Sequence, residues 1–433
     1  VNKQRSPLIF IFLTVFIDML GVGIVLPLLP FYVKLLEGAN APWLEPNLAL
    51  IVGGLTASYS LFQFLFAPVL GGLSDRFGRR PVLLLSLVGT AAGYLLFGAA
   101  ELLLPLGAGL VLAMLFIARI VAGISGASIS TAQAYIADVT APEERARGLG
   151  MIGAAFGLGF MLGPAIGGLL SGFSLSAPAY VAAALSLANA VFGFLKLPES
   201  LSAEQRSEAG ERSLNPFARL GKVVGKEAIR PLLVGVLLLN FAFAGLQSNF
   251  SVFSNARFGF GPSENAWIFA FIGLIAVIVQ GGLIRQLVAR FGEARLAVAG
   301  LGLMTIGFLL IATVPQAWML YPALGVFAAG SGAATPSLTS LISRQVTGRE
   351  QGAVLGGVQA FNSLMMVIGP LFAGLLFDAV APAAPYLAGT LLVAAAAGVI
   401  TAALRRELVR GAPLEQPVPA PVEAESVASA QLQ

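Results

Sequence analysis

Two charged residues stand inside long apolar runs, Asp18 in the first such run and Arg119 in the fourth. A carboxylate in hydrocarbon is costly unless it faces a cavity or a partner, so Asp18 marks an ion or substrate path. The chain has no His and no Cys. Zinc sites, thiolate chemistry, disulfide frameworks and histidine relays are thereby excluded, and protons fall to carboxylates. A third constellation is Gly71-Gly72-Leu73-Ser74-Asp75-Arg76-Phe77-Gly78-Arg79-Arg80-Pro81. Gly71 allows close helix approach, Asp75 can face the positive end of a helix, and the arginines can bind carboxylates. Clustered carboxylates for general acid/base work and a Walker phosphate loop are both lacking, which argues against an enzyme and against ATP as the energy source. On the residues alone, Asp18 could equally tether neighbouring spans and Arg119 could be purely structural.

The elements that must carry these residues are membrane spans. Of 433 residues, 57% are hydrophobic and 11% charged, whereas soluble domains carry roughly 25% charged residues. A crossing helix needs about 20 apolar residues, and such runs are predicted at 8–33, 48–70, 80–100, 109–137, 146–171 and 177–196. A second set is predicted at 231–254, 265–288, 294–314, 317–343, 352–377 and 384–404. The domains expected are a first six-helix bundle at 1–196, a cytoplasmic linker at 197–230, a second bundle at 231–410, and a disordered cytoplasmic tail at 411–433. With a cytoplasmic N-terminus, every Lys and Arg outside the spans falls on the inner side except Lys34 and Arg257. That asymmetry predicts both termini inside, and it accounts for the net charge of +4 without an anionic partner. The first apolar run is too long for a cleavable signal.

The halves repeat each other at one constant offset: Ala122, Ser125, Gly126 and Ala127 return as Ala328, Ser331, Gly332 and Ala333. Gly163, Pro164 and Gly168 return as Gly369, Pro370 and Gly374. Such a duplication predicts an all-α integral membrane fold, twelve transmembrane helices in two six-helix bundles about a pseudo-twofold axis along the membrane normal. Arg119 breaks the repeat, its equivalent being Gly325.

The run from Gly71 to Pro81 resembles the signature of the major facilitator superfamily between its second and third helices. In that family the cluster latches the cytoplasmic gate, so the resemblance implies this role for Gly71, Asp75, Arg76, Gly78, Arg79 and Arg80, with Asp138 as carboxylate partner of Arg79. Asp18-Met19-Leu20-Gly21 through Pro30 and Arg119-Ile120-Val121-Ala122-Gly123 are similar to motifs of twelve-span drug:proton antiporters. They imply proton coupling through Asp18 and Arg119. The span-five run holding Gly159, Gly163, Pro164, Gly167 and Gly168 resembles the antiporter motif; small residues four apart let helices pack closely, and the proline bends the helix.

Within the superfamily the first half, Ser74 to Leu87 above all, resembles tetracycline exporters. The chain departs from them at Gly93, Ala276 and Met304, where they carry an acid, a histidine and an acid, and it keeps Gln280. A substrate site between the halves is expected to draw on Phe62, Gln63, Phe156, Phe160, Asn240, Gln247, Phe271, Gln280, Tyr321, Phe361 and Asn362. Aromatic faces with a few amides favour apolar or cationic ligands. The expectation is a monomeric proton-coupled exporter of small amphipathic compounds, drugs foremost, in the plasma membrane and in contact with lipid. No cofactor, metal or nucleic acid is implied. Export of sugars or another metabolite, and tetracycline efflux proper, remain the alternatives.

Overall fold

The computed structural model describes residues 5–36, 41–126, 128–140, 145–201, 206, 225–226, 229–346 and 348–409. Of some of these, including Phe156 and Phe160, only the backbone is described. Most of the expected linker and the whole expected tail lie outside the described residues.

Among the described residues twelve helical rods run back and forth. The first half holds α1 (Arg5–Val25, continued by Leu26–Leu28 and Leu29–Lys34), α2 (Leu48–Phe77), α3 (Arg79–Ala99), α4 (Ala108–Val139), α5 (Arg145–Ser171) and α6 (Ala177–Lys196). The second holds α7 (Arg230–Phe258), α8 (Pro262–Phe291), α9 (Glu293–Thr313), α10 (Leu320–Arg344), α11 (Gly348–Ala379) and α12 (Ala384–Val409). Among the described residues there is no strand. In hydrocarbon each rod satisfies its own backbone, which is why helices are the only open-ended solution. Since α1 starts and α12 finishes at the same end, that end is called the terminal side and its opposite the far side.

Ten of the rods are long and apolar enough to cross a membrane. Of the other two, α5 has a shorter apolar stretch, Gly157–Ser171, among the described residues, and α10 is rich in Gly, Ala, Ser and Pro, which lowers its hydropathy. Trp43, Trp267 and Trp318 are all exposed near the far ends of α2, α8 and α10, where amphipathic rings mark a membrane boundary.

Each half has its own apolar core. One continuous cluster, from Ile229 to Leu404, fills the second bundle. The first bundle has two large ones, around Tyr32, Leu55, Tyr94 and Phe97 towards the far side and around Phe10, Leu83, Tyr135 and Ile136 towards the terminal side, and a small third at Leu70 and Val82. Glycines seat α5 on α1: a Cβ on Gly163 would stand 2.6 Å from Leu20 O, and one on Gly159 2.7 Å from Phe16 O. Gly369 seats α11 on α7 in the same way, 2.8 Å from Phe241 O.

Between the halves the crowding lies towards the far side. A Cβ on Gly374 of α11 would meet Ala49 O at 2.5 Å, and Gly53 of α2 is held as closely against Pro370 O, at 2.5 Å. Gly168 of α5 lies against Ala266 of α8, and Gly273 of α8 against Met161. Towards the terminal side, Cβ atoms on Gly281, Gly282 and Gly356 would meet nothing within 4 Å. The molecule is therefore closed at its far end and open towards its termini. Gly71 follows from this: its nearest neighbour would be Ser130 Oγ of its own half, at 4.0 Å. The close approach expected at Gly71 is not made in this state, because α2 meets α11 through Gly53 instead.

Candidate functional site

Arg119 is 2% exposed and Asp18 4%, both inside the first bundle. The guanidinium of Arg119 lies over the ring of Tyr59, 4.4 Å from its centre, and Nε donates to Leu55 O at 3.3 Å. Cation–π contact and a backbone carbonyl together offset part of the cost of burying that charge. Tyr59 and Tyr94 each lie within electrostatic reach of both Asp18 and Arg119. Gly21, nearly one turn beyond Asp18, makes room for the Tyr94 ring, which a Cβ there would strike. Close approach of α2 to α4 comes from Gly123, where a Cβ would collide with the Tyr59 backbone, and from Gly126, where a Cβ would stand 2.6 Å from the Tyr59 hydroxyl. Gln63 locks the same joint, its amide donating to Gly126 O at 3.0 Å and Tyr59 OH at 3.3 Å. The site is thus a buried acid from α1 and a buried cation from α4, with a tyrosine from α2 and one from α3 within electrostatic reach of both.

At the terminal end a second assembly centres on Arg79. Gly78 has φ 106°, a conformation that favours glycine, and so turns α2 directly into α3. Arg79 Nη1 then pairs with Asp75 Oδ1 at 2.5 Å and donates to Ser74 Oγ at 2.6 Å, while Nε donates to Asp138 Oδ2 at 3.1 Å. Glu199 accepts from the Arg79 N–H at 2.8 Å and the Arg80 N–H at 3.2 Å, capping α3 from the start of the linker. Ser200 Oγ donates to Asp138 at 3.1 Å. The Arg80 side chain donates to Phe194 O at 2.6 Å, whereas exposed Arg76 lies over the Phe77 ring.

The expected substrate residues are only partly gathered. Phe271 and Tyr321 meet edge to face, with centres 5.4 Å apart. Gln63 is committed inside its own bundle, and Asn240 donates to Val236 O of its own helix at 2.8 Å. Phe62 stacks on Phe66. Gln280 is exposed on a π-helical stretch, Ile278–Leu283, within α8; Gln247 and Phe361 are half-buried. The Asn362 carbonyl oxygen is buried without a hydrogen-bond partner. The side chains of Phe156 and Phe160 lie outside the description. Sequence reasoning missed Tyr59, Tyr94, Glu199 and Asp378, the last of which accepts hydrogen bonds across the two halves from Ala49 and Leu50. Each is an ordinary residue type at an ordinary place, and only the tertiary contact singles it out.

Two six-helix bundles, closed together at one end, with buried charge in one of them, define a secondary transporter rather than an enzyme. The family model of the Major Facilitator Superfamily matches residues 11–288 and 282–430, and the chain belongs to that superfamily. It is 35% identical over 377 residues to the class C tetracycline resistance protein of Escherichia coli, covering 87% of this chain and 91% of that protein. It is 31% identical over 388 residues to multidrug resistance protein 2 of Bacillus subtilis (strain 168), covering 87% and 90%. Among solved structures, the human organic anion transporter MFSD10 (TETRAN) superposes with a TM-score of 0.68 at 26% identity, covering 92% of this chain and all of that one (100%). The protein is accordingly a multi-pass membrane transporter of small molecules.

Proposed function

We propose that this transporter exports small amphipathic or hydrophobic compounds, drugs among them, in exchange for protons. The observation that carries the reading is that Asp18 and Arg119 are both buried in one bundle, each within electrostatic reach of Tyr59 and Tyr94, with no counterpart for Arg119 in the other. An acid that must alternate between proton and partner needs such a place, screened from bulk water yet beside a compensating cation. Asp75, Arg79 and Asp138 serve as the gate on the terminal side, which is the cytoplasmic face of the plasma membrane. Resistance proteins named for tetracycline and for multiple drugs support the substrate class.

Tetracycline efflux proper is the second reading, favoured by the 35% identity to the class C protein. Against it stand Gly93, Ala276 and Met304, which offer no acid or imidazole where tetracycline exporters carry them. Inverted vesicles containing the protein, loaded with a pH-sensitive dye and offered a panel of drugs, sugars and tetracycline, decide the matter. Proton release from the vesicle lumen on addition of several unrelated amphipathic drugs is the expected result. A response confined to sugars, or to tetracycline with magnesium, would overturn the proposal.

A further inference from the structure

The carboxylate of Asp378, at the far end of α11, reaches out of the second bundle to the start of α2 in the first. Its Oδ1 accepts from the Ala49 N–H at 3.2 Å and its Oδ2 from the Leu50 N–H at 2.7 Å. These are the second and third amides of a helix that begins at Leu48, the donors a helix ordinarily gives to its own N-cap side chain. α2 has a suitable residue there, Asn47, but that side chain makes no cap bond and donates instead to Trp43 O at 2.8 Å. The cap is supplied from the other half of the molecule.

The pseudo-equivalent helix start behaves differently. At the head of α8 the Gly261 N–H donates to Glu264 Oε2 at 2.9 Å, a bond made within the helix's own first turn. By the offset that relates Gly374 to Gly168, the first-half equivalent of Asp378 is Gly172. The cross-half carboxylate is therefore no by-product of the duplication. It extends a stripe on α11: Pro370, Gly374 and Asp378 recur at every fourth residue, the first two touching Gly53, Ala49 and Leu50 of α2. Negative charge is favoured at a helix N-terminus, so the ionised group suits the place it occupies.

We propose that Asp378 is the far-side clasp of the transport cycle. It caps α2 while the far end is closed and releases those amides to water when α2 and α11 part, so the strength of the cap sets the balance between the two states. This rests on the two halves moving against each other as a transporter's do, and not on which substrate is carried. Hydrogen bonds to a charged group are individually strong enough that losing the clasp should change the ratio of far-open to far-closed molecules about 10-fold.

Because the chain has no cysteine, spin labels can be placed without background. One pair, Leu102→Cys with Val380→Cys, reports the far side; a second, Leu195→Cys with Gln286→Cys, reports the terminal side, and all four positions are exposed. Asp378→Ala is expected to lengthen the far-side distances and shorten the terminal-side ones by moving population between states. Asp378→Asn keeps one acceptor oxygen and is expected to give a smaller shift in the same direction, which also decides the case if the alanine variant does not fold. Distance distributions unchanged from the parent in the folded variants would overturn the clasp. The measurement needs neither substrate nor proton gradient, so its failure leaves the export proposal standing, and failure of export leaves the clasp standing.

Discussion

Glu293 accepts a hydrogen bond from Arg344 at 2.9 Å, and this pair occupies in the second bundle the places that Arg79 and Asp138 hold in the first, with the charges exchanged. Gly78 and Gly292, both at positive φ, open the helices that begin with Arg79 and Glu293. Asp138 and Arg344 close α4 and α10 at positions related by the repeat offset. What duplication preserved is the contact between neighbouring helix ends, not the sign at either place. The environments differ, however: the Arg79 side chain is 5% exposed, Arg344 41%.

That difference gives a stability prediction. Breaking a fully buried pair by removing one partner costs roughly 3–5 kcal/mol; with Asp138 partly exposed and Asp75 still beside Arg79, Asp138→Asn should cost about 2 kcal/mol. Arg344→Gln removes the exposed partner and leaves Glu293, 13% exposed, still accepting from Ser340, so it should cost about 1 kcal/mol. Thermal unfolding of the purified protein in detergent should rank the two in that order. A larger loss from Arg344→Gln would contradict the burial argument.

Coupling should fail without loss of the fold when Asp18 is neutralised. Asp18→Asn keeps size and hydrogen-bonding capacity, so the bundle should insert and purify normally. Uphill substrate movement driven by a proton gradient should disappear while downhill exchange persists. Proton-driven accumulation at the parent rate in Asp18→Asn would remove Asp18 from the coupling mechanism. Arg119→Lys keeps the charge but not the planar group that lies over Tyr59 and donates to Leu55; it should retain no more than partial coupling.

The two kinds of glycine in the antiporter-like run should separate in experiment. Gly163 faces α1 of its own bundle and Gly168 faces α8 of the other. Gly163→Leu overpacks a fixed joint, and about 1–3 kcal/mol of stability should be lost. Gly168→Leu instead wedges the far-side contact between halves, and the cost can be relieved by opening. Labels at the far side should therefore move apart in Gly168→Leu, with little change in unfolding temperature. Identical behaviour of the two variants would show that the run has one role, not two.

How much of this was legible before the structure depends on how local each signal is. Asp18 and Arg119 stood out because a charge in an apolar run is conspicuous whatever surrounds it. The cluster around Arg79 was legible as a constellation because its residues are contiguous, and the Asp138 contact because the family resemblance supplied the partner. α5 and α10 were read, like the other spans, from their apolar runs, although the Gly, Ala and Ser content of α10 weakens its hydropathy signal. Tyr59, Tyr94 and Asp378 were invisible for the opposite reason. A tyrosine in a span or an acid at its end is unremarkable in one dimension, and its meaning comes wholly from a helix distant in sequence. At Gly71 the sequence suggests a close helix approach, and in this structure the nearest atom to a Cβ there would be Ser130 Oγ at 4.0 Å.

The substrate prediction turns on the second bundle. Phe271 and Tyr321 present an edge-to-face pair, and the Asn362 oxygen is buried with no partner. Among the described residues no group of three or more acids is placed to hold a metal ion. A cationic amphipathic drug gains on the order of 0.5–2 kcal/mol from one aromatic face, and Tyr321→Ala should accordingly raise its KM several-fold with kcat little changed. Neutral hydrophobic substrates should be affected less, since they lose area burial but no cation–π contact. Chelating divalent metal should leave export of both groups unaltered. Transport assays in inverted vesicles with the two substrate groups, each with and without a chelator, test all three statements. If chelation abolished export while Tyr321→Ala had no effect on any substrate, the site would have to be sought elsewhere, and recognition would rest on metal after all.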